Sequence, residues 1–477
     1  MAPVPFYSTM TCRATLAQLT DLLSATPHNL ANPHAPFHGI TTDTRSLKPG
    51  QIYLALRGEN FDGHQFVAAA IAQGAVAAIV DMPVGSDLPL LQVAHTLQSY
   101  QAIAHWWRNQ FTIPVIAITG SVGKTTTKEL IAAVLAHTGA AVLKTQANYN
   151  NEIGVPKTLL ELDAHHAFAV IEMGMRGRGE IALLSQIARP DIAVITNVGT
   201  AHIGRLGSEQ AIAEAKCELL SEMPRSSTAI LNHDNERLRK TAATVWQGKT
   251  LTYGLEGGDL HGEFSVPDQL KLSGLELTVP LPGQHNALNY LAALAVAQSL
   301  GIDWASLQQG LTIELPAGRA RRDELPQDVV ILDETYNAGL ESMLAALQLL
   351  SQTPGKRHIA ILGTMKELGD RSLEFHRQVG EQTKALALDH LLILAETAEA
   401  EALALGADPL VSECFTDPTA VVDRLQALVQ PGDRLLFKAS RAVRLDRVVH
   451  EFRSRYLSHP YPLHQYPSHN ADVAEKT

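Results

Sequence analysis

At 477 residues the chain is long enough for about three domains. Its 45% hydrophobic and 18% charged residues suit a globular protein rather than a disordered or fibrous one. A net charge of −11 argues against general nucleic-acid binding. Three cysteines, Cys12, Cys217 and Cys414, lie far apart without metal-type spacing, which fits a reducing cytoplasm. The amino terminus, MAPVPFYSTMTCRATL, lacks the basic-then-apolar layout of a signal peptide. The most apolar stretch, AAAIAQGAVAAIVD, is interrupted by Gln73 and Gly74 and is too short to cross a bilayer. A soluble, cytoplasmic protein without a membrane span is expected.

In chain order, QIYLALRG reads as a strand, QFVAAAIAQGA as a helix ending near Gly74, VAAIVD as a strand and QSYQAIAHWWRNQF as a helix. A second unit begins at IPVIAITG. Its runs VIAIT, AFAVIE and DIAVIT lack period-2 alternation, so they suit strands covered on both faces. With helical segments between them they give the βαβ rhythm of a parallel sheet. Shorter alternating pieces over 250–282, such as LELTVPLP, suggest a small antiparallel addition. DVVILDE, HIAILG, HLLILAE and DRLLFKAS restart the rhythm as a third α/β unit. The expected division is 1–110, 111–315 and 316–457, followed by a disordered Pro- and His-rich tail over 458–477 whose three histidines make a weak metal candidate on composition alone. No solenoid-type repeat is visible.

The stretch ITGSVGKTTTKEL is a glycine turn between a buried-type strand and a helix. Gly120 and Gly123 are two residues apart, whereas the common phosphate loop has four residues before its Gly-Lys pair. Strand, turn and helix together aim free backbone N–H groups and the positive helix end at an anion. Lys124 would meet the outer phosphates and Thr125 would offer a hydroxyl to Mg²⁺. Glu172, at the end of AFAVIE, stands where parallel sheets collect ligands, and a carboxylate there suits Mg²⁺. The next strand leads into a loop with Asn197 and His202. In SEQAIAEAKCELL, Ser208 is the expected N-cap, and Lys216 falls on the apolar face of Ile212, Ala215, Leu219 and Leu220. Either its stem packs while the ammonium reaches solvent, or the amine is desolvated and easily deprotonated. The second form could act as a base, form an adduct or take up CO₂ as a carbamate.

Several segments follow one another along the chain: TGSVGKTT, NYNNEIGVP, EMGMRGRGEI, TNVGTAHIGRLGS, AKCELL, LNHDN, PLPGQHNALNYLAALA and PAGRARRDEL. Together they resemble the Mur ligase family, over about 400 residues. The resemblance implies three domains: a small α/β N-terminal substrate domain, a central parallel-sheet ATPase domain with a phosphate loop, and a C-terminal Rossmann-like α/β domain. It places ATP on Gly120, Ser121, Val122, Gly123, Lys124, Thr125 and Thr126, with Asn286 from the central domain and Arg319, Asp333, Tyr336 and Asn337 from the third. Thr125 and Glu172 would hold one Mg²⁺, and His202 with a carbamylated Lys216 a second. Lys124, Lys216 and His202 are the implied catalytic residues. Thr42, Asp43, Arg45, the Asp62-Gly63-His64 turn, Asn150 and Asn151 are the implied contacts to the UDP-muramoyl substrate. A monomer is the default.

DETYNA, GTMKELGDRSLEFHRQVG and FKASRAVRLDRVV are similar to the branch that adds D-alanyl-D-alanine to UDP-N-acetylmuramoyl-tripeptide. That implies an acyl-phosphate intermediate and a third domain that closes the site against water. Gly339 and Leu340 stand where the family pattern continues Asn-Pro, Thr364 where it has Asp, and Ala439 where it has Gly; these bear on acceptor preference. A sibling ligase adding another amino acid is opposed by Tyr336-Asn337 and by the missing D-N-P-R motif. A nucleotide switch is opposed by the absence of N-K-x-D.

Overall fold

Strands covered on both faces give the molecule its frame, because continuous apolar runs must be buried on both sides of a sheet. The structure, a computed structural model, describes residues 12–85 and 87–458. The His-rich tail beyond Ser458, which ends the helix Leu445–Ser458, lies outside the described residues, and so does most of the amino-terminal stretch.

The chain forms two compact units. The first takes in residues up to Gly199, Leu206–Pro280 and Gln284–Glu314, so position 110/111 falls inside it. It contains two main sheets. The amino-terminal sheet runs in the order Thr26–His28, Leu90–Gln92, Ala77–Val80, Ile52–Leu54, Ile40–Thr41, with only the first pairing antiparallel. The helix expected before Gly74 spans Val67–Ala72, and the aromatic-rich helix spans Thr96–Arg108.

The larger sheet has nine strands. Val142–Lys144, Phe168–Glu172, Val115–Thr119, Ile192–Ile195, Thr228–Asn232 and Lys249–Gly254 run parallel in that spatial order. Leu260–Ser265 joins them in parallel, and Gln269–Leu272 and Leu275–Thr278 then pair antiparallel. The antiparallel addition therefore begins about ten residues later than the composition of 250–282 implies. Val115–Thr119 lies centrally, fully buried between its two neighbours, and Ile118 pairs with Glu172 while Thr119 pairs with Ile195. The carboxyl ends of three strands thus meet at one edge, where parallel sheets present their ligand sites. The helix Gln284–Ser299 packs on the helix Lys124–Ala136 and is buried nearly all round.

The second unit, mainly Leu315 onward together with Thr200–Arg205 and Leu281–Gly283, contains a six-stranded sheet. Its order is Arg321–Leu325, Val329–Asp333, Asp433–Lys438, Arg357–Gly363, His390–Leu394, Ser412–Phe415. All four expected strands are present. Two further strands close the edges, and they carry no apolar signal. Arg321–Leu325 is mostly charged and pairs antiparallel, with Asp323 meeting Arg321 and Arg453.

Candidate active site

The phosphate loop is shaped by what lies behind it. Gly120 has no room for a side chain: a Cβ there would sit 1.9 Å from Thr196 Oγ1. Gly123 is left-handed (φ +82), and a Cβ there would sit 2.5 Å from Asn289 Oδ1. The loop's peptide groups are held from the neighbouring strand end. Val122 N donates to Asn197 Oδ1 (3.0 Å), Asn197 Nδ2 returns a bond to Val122 O (3.1 Å), and Thr196 Oγ1 donates to the same carbonyl (2.6 Å). Ser121 N donates to Asn197 O, and Ser121 Oγ accepts from Gly199 N (2.9 Å). Thr127 Oγ1 donates to Asn289 Oδ1 (3.2 Å), and Asn289 Nδ2 donates to Asn286 Oδ1 (3.2 Å). Asn286 is buried and reaches the loop through Asn289. Asn197 and Asn289 therefore shape the loop. Sequence reasoning gave neither that role, because the role depends on a neighbouring strand and a distant helix.

Lys124 opens the helix Lys124–Ala136, and its Nζ donates to Gly120 O (2.6 Å) and Ser121 O (3.3 Å). Thr125 is buried at the same helix start, while Thr126 is half-buried. One strand away, Glu172 is 2% exposed. Its Oε1 accepts from Asn150 Nδ2 (2.9 Å), whereas Oε2 is buried without a hydrogen-bond partner. A buried carboxylate oxygen left in that state is costly unless a cation completes it. Thr125 and Glu172 therefore fit a Mg²⁺ ion, which needs few protein ligands when phosphate and water supply the rest. Among the described residues no group of three or more His, Cys, Asp or Glu gathers as a self-sufficient metal site.

Ser208 caps the helix Glu209–Glu222 as expected, accepting from Ala211 N (3.1 Å). Lys216 is 1% exposed among Ile212, Ala215, Leu219 and Leu220, all buried. The reading in which its ammonium reaches solvent does not hold, because the whole side chain is enclosed. His202, in the second unit's segment Thr200–Arg205, is left-handed (φ +67), and its Nδ1 lies 2.6 Å from Glu367 Oε2.

In the second unit the guanidinium of Arg319 lies 3.7 Å over the Tyr336 ring and that of Arg441 5.3 Å from it. Arg319 Nε is buried without a hydrogen-bond partner. Asp333 ends its strand buried, accepting from Thr335 N (3.1 Å) and Oγ1 (2.6 Å). Burial holds its carboxyl above the usual carboxylate range, although the Thr335 bonds oppose this. Lys438, at the end of the adjacent strand, donates to Asn337 O (3.0 Å), and burial pushes its ammonium pKa down. Asn337 itself is exposed.

Three family models match the chain in order: the Mur ligase family, catalytic domain over 36–101, the Mur ligase middle domain over 118–297, and the Mur ligase, glutamate ligase domain over 318–441. A Synechocystis sp. protein named UDP-N-acetylmuramoyl-tripeptide–D-alanyl-D-alanine ligase is 60% identical over 415 residues, covering 86% of this chain and 91% of its own. The chain belongs to the Mur ligase family. The Escherichia coli relative of the same name is 37% identical over 91% of this chain and 97% of its own. Among solved structures, a MurF crystal structure from Acinetobacter baumannii superposes with a TM-score of 0.86 at 32% identity, covering 93% of this chain and all of that one. MurF ligase from Thermotoga maritima in complex with ADP gives 0.79 at 32% identity, covering 88% and 98%.

Within this Mur ligase, the expected substrate residues have visible structural duties. Asp43 caps the turn Thr44–Ser46, accepting from Arg45 N (3.0 Å) and pairing with the exposed Arg45 guanidinium (2.6 Å). Those bonds lower its carboxyl to about 2. Thr42 is half-buried beside it. Asp62 caps the turn Gly63–Phe66, and a Cβ on Gly63 would sit 2.7 Å from Leu56 O. His64 is buried, with Nδ1 2.7 Å from Asp62 and Nε2 accepting from Asp81 N (3.2 Å). Both ring nitrogens are engaged, so His64 braces the turn. Asn150 holds Glu172, and Asn151 Oδ1 accepts from Gly154 N (2.9 Å) at the start of the helix Gly154–Leu159.

Proposed function

We propose that this Mur ligase joins D-alanyl-D-alanine to UDP-N-acetylmuramoyl-tripeptide, driven by ATP, to give the pentapeptide precursor of peptidoglycan. The observation that carries the reading is the strand edge where a glycine loop leading into a helix N-terminus stands beside a carboxylate with one unsatisfied oxygen. The relatives' names supply the acceptor and the peptide substrate, and the ADP complex of a structural neighbour supports the nucleotide.

The tripeptide's terminal carboxylate attacks the γ-phosphorus of ATP, so that a P–O bond to ADP breaks as the acyl phosphate forms. The amine of D-alanyl-D-alanine then attacks the acyl carbon, losing a proton as phosphate departs. Backbone N–H groups at the start of the helix Lys124–Ala136 and the Lys124 ammonium hold the phosphates in this scheme, the N–H groups of Ser121 and Val122 being bonded to Asn197. Lys124 exchanges its carbonyl partners for phosphate oxygens. Thr125 and Glu172 would hold one Mg²⁺, and His202 with a carbamate on Lys216 a second. Mg²⁺ would neutralise charge that builds on the transferring phosphoryl group. Enclosure of Lys216 supports the carbamate form, since CO₂ adds to an amine freed of its water. Asn286, Arg319, Asp333, Tyr336 and Asn337 are proposed nucleotide contacts; the Arg319–Tyr336 stack offers a flat cationic face to an adenine or a phosphate.

No helix among the described residues is long and apolar enough to cross a membrane. A monomer in the cytoplasm, with domains over 1–110, 111–315 and 316–457, completes the proposal. Phosphate release would be measured with ATP, Mg²⁺ and UDP-N-acetylmuramoyl-tripeptide, offering D-alanyl-D-alanine, single amino acids or nothing. Dipeptide-dependent release with a pentapeptide product by mass is the expected result. Release with another acceptor would move the protein to a sibling activity, and acceptor-independent turnover would replace the ligase by a nucleotide switch.

A further inference from the structure

Behind the phosphate loop lies a buried charge cluster that the proposed chemistry does not use. Lys128 and Glu129 sit one turn into the helix that starts at Lys124, and are 1% and 6% exposed. Lys128 Nζ donates to Thr145 O (2.7 Å) and lies 2.9 Å from Glu129 Oε1. Glu129 Oε2 in turn lies 2.5 Å from Lys144 Nζ. Lys144 and Thr145 close the edge strand Val142–Lys144. An ionic triad of this kind is weak evidence for added stability, because desolvating Lys128 and Glu129 offsets most of the attraction. Its effect is better sought in what it holds in place.

It holds the turn that cradles Glu172. Thr145 is fully buried, its N bonds to Val170 O (3.0 Å), and its Oγ1 accepts from Glu172 N (2.9 Å). At the other end of the turn, Asn150 Nδ2 donates to Glu172 Oε1, while Asn150 O accepts from Gly174 N (2.8 Å). The residues 145–150 therefore grip Glu172 by its backbone and by one carboxylate oxygen. The other oxygen, Oε2, is left free of partners. Lys128 and Glu129 tie that turn to the helix that carries Lys124 and Thr125.

We propose that Lys128, with Glu129 and Thr145, is a positioning residue that sets the aim of Glu172 Oε2 at the divalent cation and keeps it in register with the phosphate loop. Lys128 touches neither substrate nor metal in this scheme. It fixes one cation-binding oxygen relative to the loop residues that meet the phosphates. The inference rests on Glu172 as a metal ligand, and it goes beyond that reading by assigning the residues that orient it.

The test is Mn²⁺ binding to the full chain in the presence of ADP, followed by electron paramagnetic resonance, for wild type and for the variants Lys128→Met, Thr145→Val, Thr145→Ser and Glu172→Gln. Residues that orient a metal ligand typically change affinity by about 10–100-fold when removed. Lys128→Met and Thr145→Val are expected to weaken Mn²⁺ by about tenfold, and Thr145→Ser, which keeps the hydroxyl, to restore it. In turnover assays the half-saturating Mg²⁺ concentration should rise more than kcat falls. If Glu172→Gln weakens Mn²⁺ while Thr145→Val and Lys128→Met do not, the positioning role is wrong. Should Lys128→Met fail to fold, the Thr145→Val and Thr145→Ser pair decides alone. If Glu172→Gln itself leaves Mn²⁺ binding unchanged, the metal reading falls and takes the inference with it.

Discussion

Two strand-to-helix connections occupy equivalent places in the two large sheets. In the first unit Val115–Thr119 passes through Gly120–Gly123 into the helix Lys124–Ala136; in the second, Val329–Asp333 passes through Glu334–Gly339 into the helix Leu340–Gln352. Both strands are five residues long and fully buried, and both lie between sheet neighbours. The first connection has glycines where side chains would collide, so at Gly120 and Gly123 it presents backbone alone. The second keeps its side chains, and Tyr336 with Arg319 and Arg441 forms an aromatic and cationic surface. One topology thus gives two chemistries, depending on whether the turn shows backbone or side chains.

The comparison can be broken most directly at Lys124. Lys124→Ala should lower ATP turnover by about 10²–10³-fold, since it removes a cation aimed at developing phosphoryl charge. Steady-state phosphate release measures it, and a loss under tenfold would mean that the backbone cradle suffices alone.

A sharper contrast pairs two glycines. Gly123→Ala drives a Cβ against Asn289 and forces a left-handed residue, and should cost about 1–3 kcal/mol in chemical denaturation. Gly339→Ala meets nothing within 4 Å and should stay within about 0.5 kcal/mol of wild type. Equal costs at the two sites would remove the distinction between the turns.

Removing the ring in Tyr336→Ala should raise the KM for ATP several-fold, in line with a stack contributing about 0.5–2 kcal/mol, while Tyr336→Phe should keep it. Loss in both variants would point to the hydroxyl instead.

The smallest effect concerns Asp333, whose folded pKa is raised by burial. Between the ordinary carboxylate pKa and that raised value the native state holds more protons than the unfolded chain, so stability falls as pH rises. Asp333→Asn should flatten this part of the profile in urea unfolding followed across mildly acidic pH. An unchanged slope would mean the carboxyl is not shifted in the direction its burial implies.

How much could be read in advance varied with the physics behind each element. Val115–Thr119, Phe168–Glu172 and Ile192–Ile195 were legible because strands buried on both faces must be apolar throughout. Arg321–Leu325 was not, because an edge strand satisfied by ion pairs carries no hydrophobic period. The spacing of Lys216 to Ile212 and Leu219 put it on the apolar helix face but left open whether its ammonium reached solvent, and its burial decided that. The part played by Asn197 and Asn289 did not, since each acts across the fold on a loop far away in sequence. His64 was readable as a chemically apt residue in a glycine turn, yet both its nitrogens serve the turn itself. Local pattern reveals burial and caps, whereas the partner of a polar side chain is set by tertiary neighbours.

The bonds from Lys124 to Gly120 O and Ser121 O have a further consequence. Its ammonium closes a small ring with the loop it follows, satisfying carbonyls that would otherwise turn toward water. A nucleotide therefore meets a cation already folded over the cradle, and it competes with those carbonyls for the lysine's protons. That competition lowers the affinity for the nucleotide. For an enzyme that must release ADP after every bond it makes, such a loop favours turnover over retention.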